Sequence, residues 1–270
     1  MIYITNIKKQ KNIRDLGDTV TMDGRSIKRN KLIRSGRLSE ISTEEISYLL
    51  GICRVRTVVD LRSARECDER PDPRWGVAAY SRIPLLSDDQ MGFSSFASSS
   101  QIKISVLDAL INMTSGPVYT PQQYLQDIYR KFITSKQAQN ATRRFFEQLL
   151  SIRAGALLYH CNGGKDRTGI ITAFLLTALN VSWDIIAADY METNKVVEPW
   201  LERKLENLPN RYQNKQARSV LRMMYLADAD CLETAREEMC SLGGTPLGYL
   251  KQVIGVTDVS LEELQNRLLW

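Results

Sequence analysis

Leu157-Leu158-Tyr159-His160 is a short apolar run of the kind that forms a buried strand, and Thr168 to about Leu179 is helical in pattern with no polar stripe. A helix that is apolar on every side must be covered on every side. The segment joining the two, His160-Cys161-Asn162-Gly163-Gly164-Lys165-Asp166-Arg167, is short and polar and holds two adjacent glycines. A buried strand that passes through a tight loop into a buried helix belongs at the centre of an α/β layered fold.

The remaining elements are placed around that unit. Asp23-Gly24 reads as the turn of a hairpin over 19–28, and Leu32-Ile33-Arg34-Ser35-Gly36 as a strand entering a loop. Ser42 or Thr43 starts a helix that ends near Leu50 with Gly51 as its stop. Arg56-Thr57-Val58-Val59-Asp60-Leu61 is β-branched and apolar, as in a buried parallel strand, and a further strand is expected over 80–85. Helices are expected over 121–134 and 136–153, then three or four more from Asp184 to the end. The stretch Phe93-Ser94-Ser95-Phe96-Ala97-Ser98-Ser99-Ser100 departs from this pattern, and about 87–120 is read as a lid inserted into one domain spanning 1–270.

Composition narrows the function classes. The chain has 36 basic and 31 acidic residues in 270, hence a net charge of +5. Ten of the Lys and Arg lie between Lys8 and Arg37, against three Asp. Such a balance suits an anionic substrate, or transient contact with an anionic membrane. No nucleic-acid recognition motif accompanies it. The five cysteines are widely spaced with no C-x-x-C pair, and the chain has a single histidine. Neither a zinc ribbon nor a histidine-based metal site is expected, and free thiols in a reducing compartment are. No apolar run approaches the roughly 20 residues of a membrane span. No signal peptide is visible, so a cytoplasmic location, or secretion without a cleavable signal, is expected.

Cys161 and Arg167 are separated by five residues. That spacing lets the loop curl round one tetrahedral oxyanion, with the thiol beneath it and the guanidinium beside it. Gly163 and Gly164 allow backbone N–H groups to turn inward, and so Asn162, Gly163, Gly164, Lys165 and Arg167 are the expected phosphate-binding positions. The following helix aims its positive end at the same point. This field and the arginine charge favour the thiolate, the nucleophilic form of cysteine. Thr168 is placed to donate a hydrogen bond to that thiolate, and His160 to fix the loop. A nucleotide-binding glycine loop is excluded, because Asp166 stands where Ser or Thr would follow Gly164-Lys165.

These residues resemble the signature of the cysteine-dependent protein tyrosine phosphatases. The form His-Cys-x-x-Gly-Lys-Asp-Arg is similar to the atypical bacterial branch, some of whose members are secreted. The resemblance extends over most of the chain. It includes Asn12-Ile13-Arg14-Asp15-Leu16-Gly17, Ile33-Arg34-Ser35-Gly36-Arg37-Leu38, Val58-Val59-Asp60-Leu61-Arg62-Ser63 with Glu66, Asp189-Tyr190 with Thr193-Asn194, and the segment from Tyr249. One departure is Asp18, where a second glycine is expected.

The resemblance implies the family's central, mostly parallel sheet flanked by helices, and cofactor-free hydrolysis of phosphotyrosine or phosphoinositide monoesters through a phosphocysteine. Cys161 attacks, an acid protonates the leaving oxygen, and water then hydrolyses the intermediate. No Trp-Pro-Asp acid loop exists here. The resemblance puts Asp166 first as the acid. Asp60 is second, at the C-terminal end of a parallel strand, unless it serves as ion-pair partner to an arginine such as Arg14 or Arg62. Asp88 and Asp89 are third. Lys165 and the basic N-terminal stretch favour phosphoinositides. Tyr119, Tyr124, Phe93 and Phe96 are candidates to line or cap the pocket. Two other activities compete with hydrolysis, a phosphate-binding pseudophosphatase and a rhodanese-type sulfur transferase.

Overall fold

The computed structural model describes residues 2–8, 12–91, 104–114 and 120–270. Six strands form one sheet: β1 (Ile2–Tyr3), β2 (Arg14–Asp15), β3 (Leu32–Ser35), β4 (Val55–Asp60), β5 (Ala79–Arg82) and β6 (Ala156–His160). Their order is β1-β2-β3-β6-β4-β5. The β1–β2 and β2–β3 pairs are antiparallel, and β3, β6, β4 and β5 run parallel. Every residue of β3 and β6 is buried, as in a sheet covered on both faces.

The alternation along each strand divides the core. Leu157, Tyr159 and Val59 face a large cluster that includes Phe132, Phe145 and Phe174. Ala156, Leu158, Val58 and Ile33 face a smaller one with Leu49. The first cluster is built by α5 (Pro121–Thr134), α6 (Lys136–Ser151), α7 (Asp166–Ala178), α10 (Ala229–Gly243), α11 (Pro246–Tyr249) and α12 (Asp258–Leu268). The second is covered by α1 (Thr43–Gly51), which is closed at its start by a Ser42–Glu45 capping box. A third cluster joins α4 (Ile104–Met113), the distal half of α8 (Trp183–Glu206) and α9 (Lys215–Tyr225). The short α2 (Ala64–Glu69) and α3 (Asp88–Met91) lie between β4 and the start of α4.

The expected hairpin over 19–28 is a single antiparallel bridge, Val20 to Ser26. Asp18 adopts φ +63°, the left-handed conformation that the missing glycine would have taken, and its N–H bonds to the Ile27 carbonyl. The helix after the glycine loop begins at Asp166, two residues earlier than its apolar pattern suggests. Of the expected lid, residues 92–103 and 115–119 lie outside the described residues, and with them Phe93, Phe96 and Tyr119. The described parts of 87–120 include α3 and α4, and Tyr124 packs half-buried against the core. No helix among the described residues is long and apolar enough to cross a membrane.

Candidate active site

Register sets the position of the site. Ser35 and Asp60 both lie beside His160, so β3, β6 and β4 end level with one another. The loop after β6 therefore rises from the middle of the carboxyl edge of the parallel strands, where open α/β sheets bind ligands. It is held from the β2–β3 side by several bonds. Asn12 Nδ2 donates to the Gly163 carbonyl at 2.8 Å, Arg34 Nη2 to the Gly164 carbonyl at 2.8 Å, and the Arg37 N–H to the Asn162 carbonyl at 2.8 Å. With the loop carbonyls drawn outward, its N–H groups are left for the interior of the loop. Gly164 takes φ +67°, and a Cβ there would meet the Gly36 nitrogen at 2.6 Å and the Ser35 carbonyl at 2.8 Å.

Arg34 and Arg14 share one buried acid. Arg14 Nε donates to Asp189 Oδ1 at 3.0 Å, and Arg34 Nη1 donates to Oδ2. Burial opposes the charge on Asp189, but Arg34 and Arg14 outweigh it and hold the carboxyl below its usual range. Two cations on one anion leave a net positive charge beneath the loop.

Within the loop, Thr168 Oγ1 donates to Cys161 Sγ at 3.1 Å, as expected for a group that supports a thiolate. Cys161 is buried, and all five cysteines are free thiols. The α7 N-terminus has no capping side chain, which leaves its first N–H groups for an anion. Arg167 is buried and its two terminal nitrogens grip Glu66, with Nη2 to Oε1 at 2.8 Å and Nη1 to Oε2. Its Nε–H has no partner among the described residues. Glu66 also accepts from Asn162 Nδ2 and from the Ser63 N–H at 2.9 Å. Burial opposes ionisation of Glu66, yet Arg167 lowers its pKa. The same pair raises the pKa of Arg167 against its own burial. The sequence marked Glu66 only as part of a motif; its position in α2, three residues after the N-cap Ser63, is what brings it to Arg167.

Asp60 takes the second of the two roles open to it. It pairs with Arg62, whose Nη2 donates to Oδ2 at 2.7 Å, and it accepts the Tyr80 hydroxyl at 2.6 Å. Burial opposes its charge, but His160 and Arg62 prevail and hold it well below the carboxylate range. A carboxyl so held has no proton to give at neutral pH. His160 is fully buried. Its Nε2 lies 3.1 Å from Asp72 and its Nδ1 contacts the Cys161 carbonyl at 3.1 Å, so it ties the loop to this network. Asp60, Asp72 and His160 are close enough to hold a cation, but the Arg62 guanidinium already supplies the charge.

Asp166 is half-buried at the first turn of α7 and accepts the Tyr129 hydroxyl at 2.8 Å. Lys165 departs from expectation. Its ammonium is buried and donates to the carbonyls of Met223, Met224 and Leu226 at 3.0–3.1 Å. The negative end of α9 attracts the cation that was expected to reach substrate. Asn194 pins the adjoining linker by two bonds to Ala227, at 2.7 and 2.9 Å. Asp88 is tied to the Ser63 hydroxyl, and Asp89 is exposed.

The sequence profile of the tyrosine phosphatase family matches residues 5–270. The chain belongs to that family. This phosphatase is 30% identical to the triple specificity protein phosphatase PtpB of Mycobacterium tuberculosis, over 96% of each chain. It is 26% identical to a tyrosine-protein phosphatase of Nostoc commune, over 86% of this chain and 71% of that one. Among solved structures, P. aeruginosa TpbA matches 78% of the phosphatase and 90% of its own chain, with 16% identity and a TM-score of 0.28. Family membership therefore rests on sequence, and it sets aside the sulfur-transferase reading.

Proposed function

We propose that Cys161 is the nucleophile of a phosphomonoester hydrolase that works through a phosphocysteine. The observation that carries this is the pairing of two buried groups. The Cys161 thiol accepts a hydrogen bond from Thr168, and in the same loop the Arg167 Nε–H has no partner among the described residues. A buried donor left without an acceptor costs about 1–3 kcal/mol. A phosphoryl oxygen relieves that cost, and Glu66 holds the guanidinium plane in place to receive it.

Asp166 is the proposed acid. As the S–P bond forms and the P–O bond to the leaving group breaks, its proton goes to the leaving oxygen. The carboxylate then takes a proton from water as that water attacks phosphorus and the Cys161 thiolate departs. Arg167 and the inward N–H groups stabilise the equatorial oxygens in both steps. Asn162, Gly163, Gly164 and Lys165 contribute through the loop backbone.

Phosphotyrosine is the substrate class these residues support first. The two sequence arguments for phosphoinositides are reduced by the structure. The Lys165 ammonium is engaged by carbonyls. Four of the ten basic residues between Lys8 and Arg37 are taken up within the fold: Arg14 and Arg34 are buried, and Arg25 and Arg29 pair with Asp23 and Asp18. The mycobacterial relative is named a triple specificity protein phosphatase, which leaves room for more than one substrate class, and phosphoinositides met at an anionic membrane are the second reading. Phosphate release from a phosphotyrosine peptide and from a phosphoinositide panel, without added metal and beside Cys161→Ser, tests both. Release in the parent and none in the variant is expected. Tight phosphate binding with no release from either substrate would instead favour the pseudophosphatase.

A further inference from the structure

Two tyrosines from distant parts of the chain meet behind the proposed acid. Tyr129 comes from α5 and Tyr190 from α8. Both are essentially inaccessible to solvent, and their rings pack edge to face with centroids 6.2 Å apart. Gly169 makes room for Tyr190, since a Cβ there would stand 2.8 Å from the ring. The hydroxyls of the two tyrosines are hydrogen-bonded to each other. Tyr129 also contacts Asp166 Oδ1 at 2.8 Å, and the Asp228 N–H reaches the Tyr190 hydroxyl at 3.4 Å.

The direction of this chain follows from counting protons. A backbone N–H can only donate, so Tyr190 accepts at Asp228. Each phenol has one proton. With Asp166 ionised, Tyr129 gives its proton to Oδ1 and Tyr190 gives its own to Tyr129. The order Asp228 N–H, Tyr190, Tyr129, Asp166 satisfies every group. Burial first, and then the charge of Asp166, pushes both phenols well above their usual range, so neither loses its proton. The Lys165 ammonium lies 3.3 Å from the same Oδ1. The hydrogen bond to the Asp166 carboxyl goes to Oδ1, and none among the described residues goes to Oδ2.

We propose that Tyr129, backed by Tyr190, is a positioning residue that clamps Asp166 by Oδ1 and so leaves Oδ2 as the oxygen that exchanges the proton. The inference rests on Asp166 being the acid. In the first step the Oδ2 proton passes to the leaving oxygen as the P–O bond breaks and the S–P bond forms. In the second, Oδ2 takes a proton from the attacking water as the S–P bond breaks. The clamp orients the carboxyl in both steps, and once Asp166 is ionised the bond becomes charge-assisted and stronger.

The test is kcat/KM on a series of aryl phosphates whose leaving phenols run from strongly to weakly acidic, with the full chain, for the parent, Asp166→Asn, Tyr129→Phe and Tyr190→Phe. An acidic phenol leaves without help, and a weakly acidic one needs the proton. Asp166→Asn should lose most on the weakly acidic phenols. Tyr129→Phe should follow with the same trend, losing about tenfold on the poorest leaving group and little on the best. Tyr190→Phe should show a smaller loss in the same sense. A loss of equal size across the series, or none, in both tyrosine variants beside a steep Asp166→Asn series would overturn the clamp and leave the acid standing. A flat Asp166→Asn series would overturn the acid and the clamp together. Thermal denaturation of each variant accompanies the kinetics; if Tyr129→Phe does not fold, the Tyr190→Phe series decides.

Discussion

Glu66→Gln isolates the charge that holds Arg167. The carboxylate accepts four bonds, two on each oxygen: Arg167 Nη2 and Asn162 Nδ2 on Oε1, and Arg167 Nη1 and the Ser63 N–H on Oε2. An amide in its place sets its NH2 against two donors whichever way it turns. Two bonds are lost, and Arg167 stays buried without the carboxylate that pairs with it. Breaking a buried pair costs about 3–5 kcal/mol. At about 2–4 °C per kcal/mol for a large domain, the melting temperature should fall by roughly 10 °C. The fork also loses its orientation, and misplacement on the scale of an ångström costs about a hundredfold in kcat. Because the pKa of Glu66 is lowered in the fold, its contribution to stability is present above the unfolded carboxyl pKa and is lost as pH falls through the folded one. The gap between parent and variant should therefore narrow in acid. Phosphate should raise the melting temperature of the variant more than that of the parent, since an anion then supplies the missing charge. Thermal denaturation across pH, with and without phosphate, reads the three effects on stability, and steady-state kinetics reads kcat. A variant that melts within a degree of the parent and keeps its kcat would refute the reasoning.

Gly164→Ala should cut kcat by at least an order of magnitude, because a side chain at φ +67° costs about 1–2 kcal/mol and its Cβ would press on the Ser35–Gly36 backbone; steady-state kinetics that match the parent would show that the loop tolerates the shift. Lys165→Met should act mainly on stability, since it leaves three carbonyls at the end of α9 without their donor. A raised KM at unchanged melting temperature would return Lys165 to the substrate. For His160, burial alone would depress the pKa, but Asp60 and Asp72 raise it above 6.5. Its contribution to stability is then full below about pH 6.5 and fades as pH rises through the folded value. Urea unfolding should show His160→Asn more costly at pH 6 than at pH 9, and a cost that grows with pH would contradict the ion network.

The core unit was legible because its signals are local. A buried parallel strand, a glycine loop and a helix without a polar face can be read from adjacent residues, and so can the Cys161–Arg167 spacing and the Thr168 hydroxyl one residue on. The capping box at Ser42–Glu45 is local too. Partnerships across the chain were not legible. Asp60 had two readings, and the choice between them depended on Arg62, Tyr80 and His160 converging on it. The side chain of Lys165 reads as a phosphate ligand until α9 presents its carbonyls 58 to 61 positions later. Tyr129 and Tyr190 lie 61 positions apart; the first sits in a helical pattern and the second in a family motif, and neither signal says that their hydroxyls meet.

By itself, the sequence determined the layered class and the short glycine loop that sets Cys161 and Arg167 on either side of five residues, since backbone propensity and short-range spacing are properties of neighbours. Tertiary structure alone decided that Asp60 pairs with Arg62, that Glu66 holds Arg167 and that Lys165 is held by the carbonyls at the end of α9. A buried charge settles on whichever partner the packing brings within hydrogen-bond distance, because the low dielectric that makes an unpaired charge costly also makes a paired one specific.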